Sequence, residues 1–183
     1  MRESKVKVLT YSALMMGLAI VATMMIRIPV PATQGYVHLG DTVLILSVLI
    51  LGKKKGALAG ALGQAAADIL GGYAIFAPAT FVAKILMGLL IGVAVEKMFE
   101  YGTGKNRKLV PAAIFMIVLS CVSMAGTYYL FECAMYGSFV VPLVEIPANI
   151  IQFSVSAVLA AAVGGLLVKT PARAWLYIGK QVK

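Results

Sequence analysis

Glu145, Asn149 and Gln152 stand at i, i+4 and i+7 in the stretch EIPANIIQFS, so a helix places them on one face. An amide offers both a donor and an acceptor, and two amides in line with a carboxylate suit the edge of a nitrogen heterocycle. The same residue types also form hydrogen bonds between helices in lipid, so the face fits either a ligand or a packing role. Lys84 lies six residues after Pro78 in an otherwise apolar run. A charge at the centre of a bilayer costs about 2.5–3.5 kcal/mol. Lys84 therefore needs an anionic or hydrogen-bond-accepting ligand, another side chain, or a route to the interface along its aliphatic stem, over roughly 9 Å of helix rise.

The other polar and aromatic candidates fall toward the same ends of the apolar segments. Asp68 precedes Gly71-Gly72-Tyr73 and could pair with Lys84, cap the loop or face water; a structural role is expected. Asp41 follows His38-Leu39-Gly40 and is expected to cap a helix. Tyr36, His38, Tyr73 and Phe76 fall in loops on that side, as interfacial anchors or as stacking walls over a ligand. Trp175 and Tyr177, near the other face, suit plain anchors. Together these residues suggest a mostly apolar pocket with a few polar contacts, the usual make-up of a small-molecule site.

Motifs for other chemistry are missing. The nearest string to a phosphate loop, GTGKNRK at 102–108, lacks the first-glycine spacing and the Ser or Thr after lysine. No GxSxG, HExxH or paired-carboxylate arrangement falls in a span. There is a single histidine and no Cys/His ligand spacing, so no metal site is expected. The chain is not expected to be an enzyme, nor to hold a cofactor.

The elements that must position these residues follow from composition. The 183 residues are 61% hydrophobic and 13% charged, against roughly 45–50% and about 25% in soluble domains, and the mean hydropathy is +0.95. A bilayer is the matching solvent, and a spanning helix needs about 20 apolar residues. Breakers divide the chain into six segments, at 8–28, 41–51, 56–70, 78–95, 109–131 and 147–168. The fold class predicted is an all-α integral membrane protein, a bundle of six transmembrane helices forming one domain over residues 1–183. In the third segment Gly56, Gly60, Gly63 and Ala67 recur at helical spacing, which permits close helix contact.

Charge placement supports six spans independently. With both termini cytoplasmic, segments 1–7, 52–55, 96–108 and 169–183 face inward and hold all of the 16 basic residues except Arg27 and Lys84. The outer segments carry Asp41, Glu132 and Glu145. Cytoplasmic loops concentrate Lys and Arg in this way, and a multi-pass protein of the cell membrane is expected. The net charge of +9 is thus a topological signal, not a nucleic-acid face. The basic, apolar start is expected to be a retained span, because no small-residue cleavage site follows it. Cys121 falls in a span and Cys133 in a loop, so no disulfide between them is expected.

The strings GYVHLGDTVLIL, ADILGGYAIFAPATFVAK and IPANIIQ, in a chain of this size and topology, resemble the substrate-binding (S) component of an energy-coupling factor (ECF) vitamin importer. Gly71 to Lys84 and Asn149-x2-Gln152 are the most specific parts. They look most like the branch assigned to hydroxymethylpyrimidine or vitamin B6 (pyridoxine), with riboflavin and pantothenate as alternatives. The resemblance implies capture of a vitamin outside the cell by Lys84, Asn149, Gln152, Glu145, Tyr36, His38, Tyr73 and Phe76. It further implies association with a transmembrane coupling protein and two cytoplasmic ATPases, which use the ATP. The small-residue docking motif of the family falls on Ala13 and Gly17, with glycine replacing the second alanine. An autonomous secondary transporter would need ion-coupling residues and paired repeats with broken helices; no internal repeat is evident.

Overall fold

The structure, a computed structural model, describes residues 5–30, 33, 35–102 and 109–171. Trp175 and Tyr177 lie outside the described residues, as do Arg2, Lys105, Arg107, Lys108, Arg173, Lys180 and Lys183. Six helices dominate: α1 (Lys5–Met25), α2 (Gly40–Leu51), α3 (Lys53–Leu70), α4 (Ala77–Gly102), α5 (Leu109–Tyr136) and α6 (Glu145–Lys169). Among the described residues, four stretches are long and apolar enough to cross a membrane: Lys5–Met25, Ala77–Glu100, Leu109–Tyr136 and Val141–Lys169. Helix α2, with 12 residues, spans only about 18 Å, and α3 is diluted by Gly, Ala, Gln64 and Asp68.

Two short strands interrupt the helical order between α1 and α2. Pro29 disfavours helical backbone at Ile28, so α1 stops at Met25 and the chain continues extended. β1 (Arg27–Val30) pairs antiparallel with β2 (Gly35–His38), with Arg27 opposite His38 and Val30 opposite Gly35. This corrects the expected first span, 8–28, and the expected loop after it. A two-stranded ribbon has only edge strands, so it tolerates Pro29.

Helix α2 is the centre of the molecule despite its length. Leu44, Ile45 and Val48 pack with Ala83, Met87 and Ile91 of α4, Met124 of α5, and Phe153 and Ala160 of α6. Small residues of α3 hold α2 from the other side. A Cβ on Gly56 would overlap the backbone of Ser47 and Val48, and Ser47 Oγ donates to the carbonyls of Leu44 and Gly56 at 2.7 Å each. The small-residue stripe read from the sequence is therefore a packing seam.

Helix α5 runs to Tyr136, beyond the expected end at 131, so Cys133 is helical and buried rather than in a loop. Glu132, expected in an outer segment, is only 1% exposed on the same helix.

Candidate functional site

At the hairpin end of the bundle, α2, α4, α5 and α6 converge on one buried ion pair. Lys84 Nζ sits 2.8 Å from Asp41 Oδ1 and 2.9 Å from Oδ2, and both side chains are 0% exposed. Only the Oδ2 contact has hydrogen-bond alignment. The lysine also lies 3.0 Å from Met124 Sδ and 5.4 Å from the centre of the Tyr128 ring. Thus Lys84 neither snorkels nor pairs with Asp68. Asp41 does not cap α2 either: Leu39 occupies the cap position without a side-chain bond, and the carboxylate turns inward. The reason is energetic, since a buried cation without a counter-charge is far costlier than a helix end without a side-chain cap.

The pair is tied to the hairpin. Gln152 Nε2 donates to Asp41 Oδ2 at 2.8 Å, while Gln152 Oε1 accepts the His38 backbone N–H at 2.9 Å. One amide side chain therefore links α6 to α2 and to β2. His38 Nδ1 accepts the Gly40 N–H at 3.0 Å, which requires an unprotonated Nδ1. Burial lowers the His38 pKa to about 3, and the Lys84 and Arg27 charges act in the same direction against an opposing pull from Asp41.

A second cluster anchors the outer strand. Tyr36 Oη donates to Asp68 Oδ1, and its ring packs on Tyr73 and His38 with centroids 4.5 and 5.4 Å apart. Burial and the Asp68 carboxylate raise the Tyr36 pKa, so the phenol stays a donor. Arg27 lies over the Tyr36 ring at 5.0 Å and donates to the Gly71 and Ala67 carbonyls at 3.3 Å each. It supplies the exposed carbonyls at the end of α3 with donors, a usual place for a cation, and so explains one exception to the inward placement of basic residues.

Between hairpin and helices lies a cavity of about 30 Å³ lined by Gly35, Tyr36, His38, Asp68, Phe76, Thr80, Tyr128, Glu132, Glu145, Asn149 and Gln152. Six of the eight binding residues singled out in the sequence meet there. Lys84 sits behind the lining, and Tyr73 packs outside it on Tyr36. Sequence reasoning passed over Thr80, Tyr128 and Glu132. Thr80 stands one turn before Lys84, Tyr128 and Glu132 are one turn apart on α5, and Tyr128 Oη donates to Thr80 Oγ1 at 3.0 Å. That i, i+4 polar spacing on α5 was the available signal. A Cβ on Gly35 would overlap Glu145 Oε1, which accepts from Thr33 Oγ1, so any larger residue there must displace that carboxyl group.

A larger cavity, about 350 Å³, opens between α2, α4, α5 and α6 among residues such as Ile45, Ile91, Met98, Ile117 and Ala160. It has almost no polar lining to orient a heterocycle, so volume alone is a poor guide and the smaller polar cavity is the candidate site.

Ala13 and Gly17 lie on the exposed side of α1, opposite the buried Met15, Ala19 and Thr23. Nothing approaches within 4 Å of a Cβ built on Gly17.

The fold and site define a helical membrane protein with a polar cavity closed by a short hairpin. Residues 3–169 match the family model described as ECF-type riboflavin transporter, S component, and the chain belongs to that family. It is a multi-pass membrane protein, and the family is that of the substrate-binding subunit of a transporter. It is 35% identical over 112 residues to a Pyrococcus woesei protein described as uncharacterized, in the gap 3′ region, covering 60% of this chain and 72% of that protein. The fold is similar to the solved S component of a bacterial ECF transporter, with a TM-score of 0.67 and 19% identity over 91% of this chain and 98% of that one.

Proposed function

We propose that the chain captures a small, planar nitrogen heterocycle of the B-vitamin class in the cavity beneath the hairpin. The observation that carries this reading is the convergence of Tyr36, His38, Phe76, Glu145, Asn149 and Gln152 on that one cavity. Aromatic rings provide stacking walls, and Asn149, 8% exposed, offers an amide to a heterocycle edge. Ligand sites are ordinarily 300–1,000 Å³, so a cavity of about 30 Å³ is the closed form, and entry requires the hairpin to lift away from Gln152.

Riboflavin, the substrate in the family's description, is the first ligand to test. Hydroxymethylpyrimidine or pyridoxine is the second reading, favoured by the small cavity and by the three carboxyl groups on its wall. The chain then hands the ligand to a transmembrane coupling protein and two cytoplasmic ATPases, which supply the ATP chemistry. Ala13 and Gly17 are the proposed docking surface. Both termini are cytoplasmic in this scheme, consistent with Lys53, Lys54, Lys55 and Lys97 gathering at the end of the bundle away from the hairpin.

Titration calorimetry of the purified chain with each vitamin, together with mass spectrometry of any copurified small molecule, tests the reading. Saturable binding of one of them at one site per chain is expected. Absence of heat with all of them, and of any copurified vitamin, would overturn it.

A further inference from the structure

Glu132 and Glu145 face the same cavity from α5 and the start of α6, at 1% and 5% exposure. Glu145 Oε1 is engaged by Thr33. Glu132 Oε2 is buried and has no hydrogen-bond partner among the described residues. No cation among the described residues answers this pair. Lys84 is committed to Asp41, and Arg27 to the α3 carbonyls and the rings of Tyr36 and Tyr73. Lys53 is paired with Glu96.

Buried polar groups are ordinarily partnered, and a buried carboxyl without a partner is costly. Three carboxyl groups, those of Asp68, Glu132 and Glu145, line the cavity; when ionised they repel an approaching carbonyl or carboxylate and attract an N–H-bearing or cationic group. Asp68, whose Oδ1 accepts from Tyr36 while its Oδ2 has no partner, and the Asn149 amide face the cavity as well; the other polar groups are committed. The Tyr36 and Tyr128 hydroxyls are spent on Asp68 and Thr80, and Gln152 is spent on Asp41 and His38.

We propose that Glu132, supported by Glu145, is the specificity-determining residue of this cavity, selecting a heterocycle that presents an N–H-rich edge, an exocyclic amine beside a ring nitrogen, over one presenting a carbonyl there. This deepens the reading above and rests on it. A carboxyl group and such an edge match in two parallel hydrogen bonds, of the charge-assisted kind when one partner is ionised. The oxo analogue keeps one N–H but turns a carbonyl acceptor toward the Glu132 carboxylate, so one of the two bonds is replaced by an acceptor–acceptor contact.

The test is competitive binding to the purified full chain in detergent, with an aminopyrimidine bearing a hydroxymethyl group, its oxo analogue, pyridoxine and riboflavin as probes. The wild-type chain should prefer the amine over the oxo compound by roughly ten- to hundredfold, and Glu132→Gln should bring that ratio close to one while the thermal midpoint stays near wild type. Glu145→Gln, whose amide oxygen can still accept from Thr33, should lower the same ratio. Should Glu132→Gln fold poorly, the infrared carboxyl band of the wild-type chain is the second readout: it should move when the amine binds and stay still with the oxo compound. Binding of a vitamin with no amine preference, or a ratio unchanged in a folded Glu132→Gln, would overturn the inference and leave the proposed function standing. Failure of every probe to bind would overturn both.

Discussion

Lys84 on α4 and Asp41 on α2 form a fully buried ion pair, and Gln152 on α6 completes it by donating to the same carboxylate. Three helices and, through the His38 N–H, the hairpin are thereby fixed to one point. The sequence alone points Lys84 at the ligand. The structure instead makes it the counter-charge that holds Asp41, one layer behind the cavity wall.

Removing one member of this pair leaves an uncompensated buried charge. Lys84→Met is expected to destabilise the chain by about 3–5 kcal/mol, as is Asp41→Leu, whereas the double variant should lose much less than their sum. Thermal or denaturant unfolding in detergent gives the cycle. Additive losses would show that the two side chains do not depend on one another.

Gln152 is the latch between the pair and the hairpin. Gln152→Leu removes a donor to Asp41 and the acceptor for the His38 N–H, each bond contributing about 1 kcal/mol or somewhat more beside a charge. Amide exchange at His38 should quicken by about tenfold or more, and ligand association should speed up while dissociation speeds up further. Unchanged exchange at residues 35–38 would mean that the hairpin is held by its aromatic contacts alone.

Gly35 tests how tightly the hairpin meets α6. Gly35→Ala places a methyl group against Glu145 Oε1 and should lower the thermal midpoint and weaken ligand binding, at a cost of about 1–3 kcal/mol. Adding Glu145→Ala removes the obstructing carboxylate, so the double variant should regain stability relative to Gly35→Ala. Recovery of stability without recovery of affinity is the expected pattern, because Glu145 also lines the cavity.

The helices were largely legible in the sequence because apolar runs broken by Gly, Pro and Lys mark them with little ambiguity. All six expected segments match within three residues at their starts, and α4 and α5 simply run further than the hydropathy drop suggested. The hairpin was not legible: Pro29 reads as a breaker, and a four-residue strand carries too little alternation to stand out. Six of the expected site residues do share a cavity because charge and amide groups near one membrane face have few places to go. What spacing could not give was partnership. Asp41 and Lys84 lie on helices brought together only by α2 sinking into the core. Glu132 looked like an end-of-span charge because a carboxylate after an apolar run usually is one, yet here the helix continues and turns it inward.

Ala13 and Gly17 leave a shallow, small-residue surface on the exposed side of α1. Close helix contact in lipid depends on such residues. Ala13→Trp should spare ligand binding by the isolated chain, since the residue is remote from the cavity lining, but abolish copurification with a coupling protein and vitamin uptake. Normal assembly with this variant would assign docking to another face.

The single histidine of the chain permits a clean pH experiment. His38 is held neutral, with its pKa lowered from 6.5 to about 3 by burial, and Nδ1 must stay unprotonated to accept the Gly40 N–H. The unfolded chain therefore binds a proton below about pH 6.5 that the folded chain refuses. By linkage, the His38 contribution is complete above the unfolded pKa and is lost as pH falls toward the folded one. Between pH 7.5 and 5 the loss from this group should be about 2 kcal/mol. His38→Asn keeps a side-chain acceptor two residues before Gly40, the geometry of an Asx turn, and carries no proton in this range. The wild-type chain should lose stability more steeply than His38→Asn over that interval, while carboxyl groups titrate alike in both. Parallel stability profiles would show that the imidazole is protonated in the folded chain and that the Gly40 N–H is held by another acceptor.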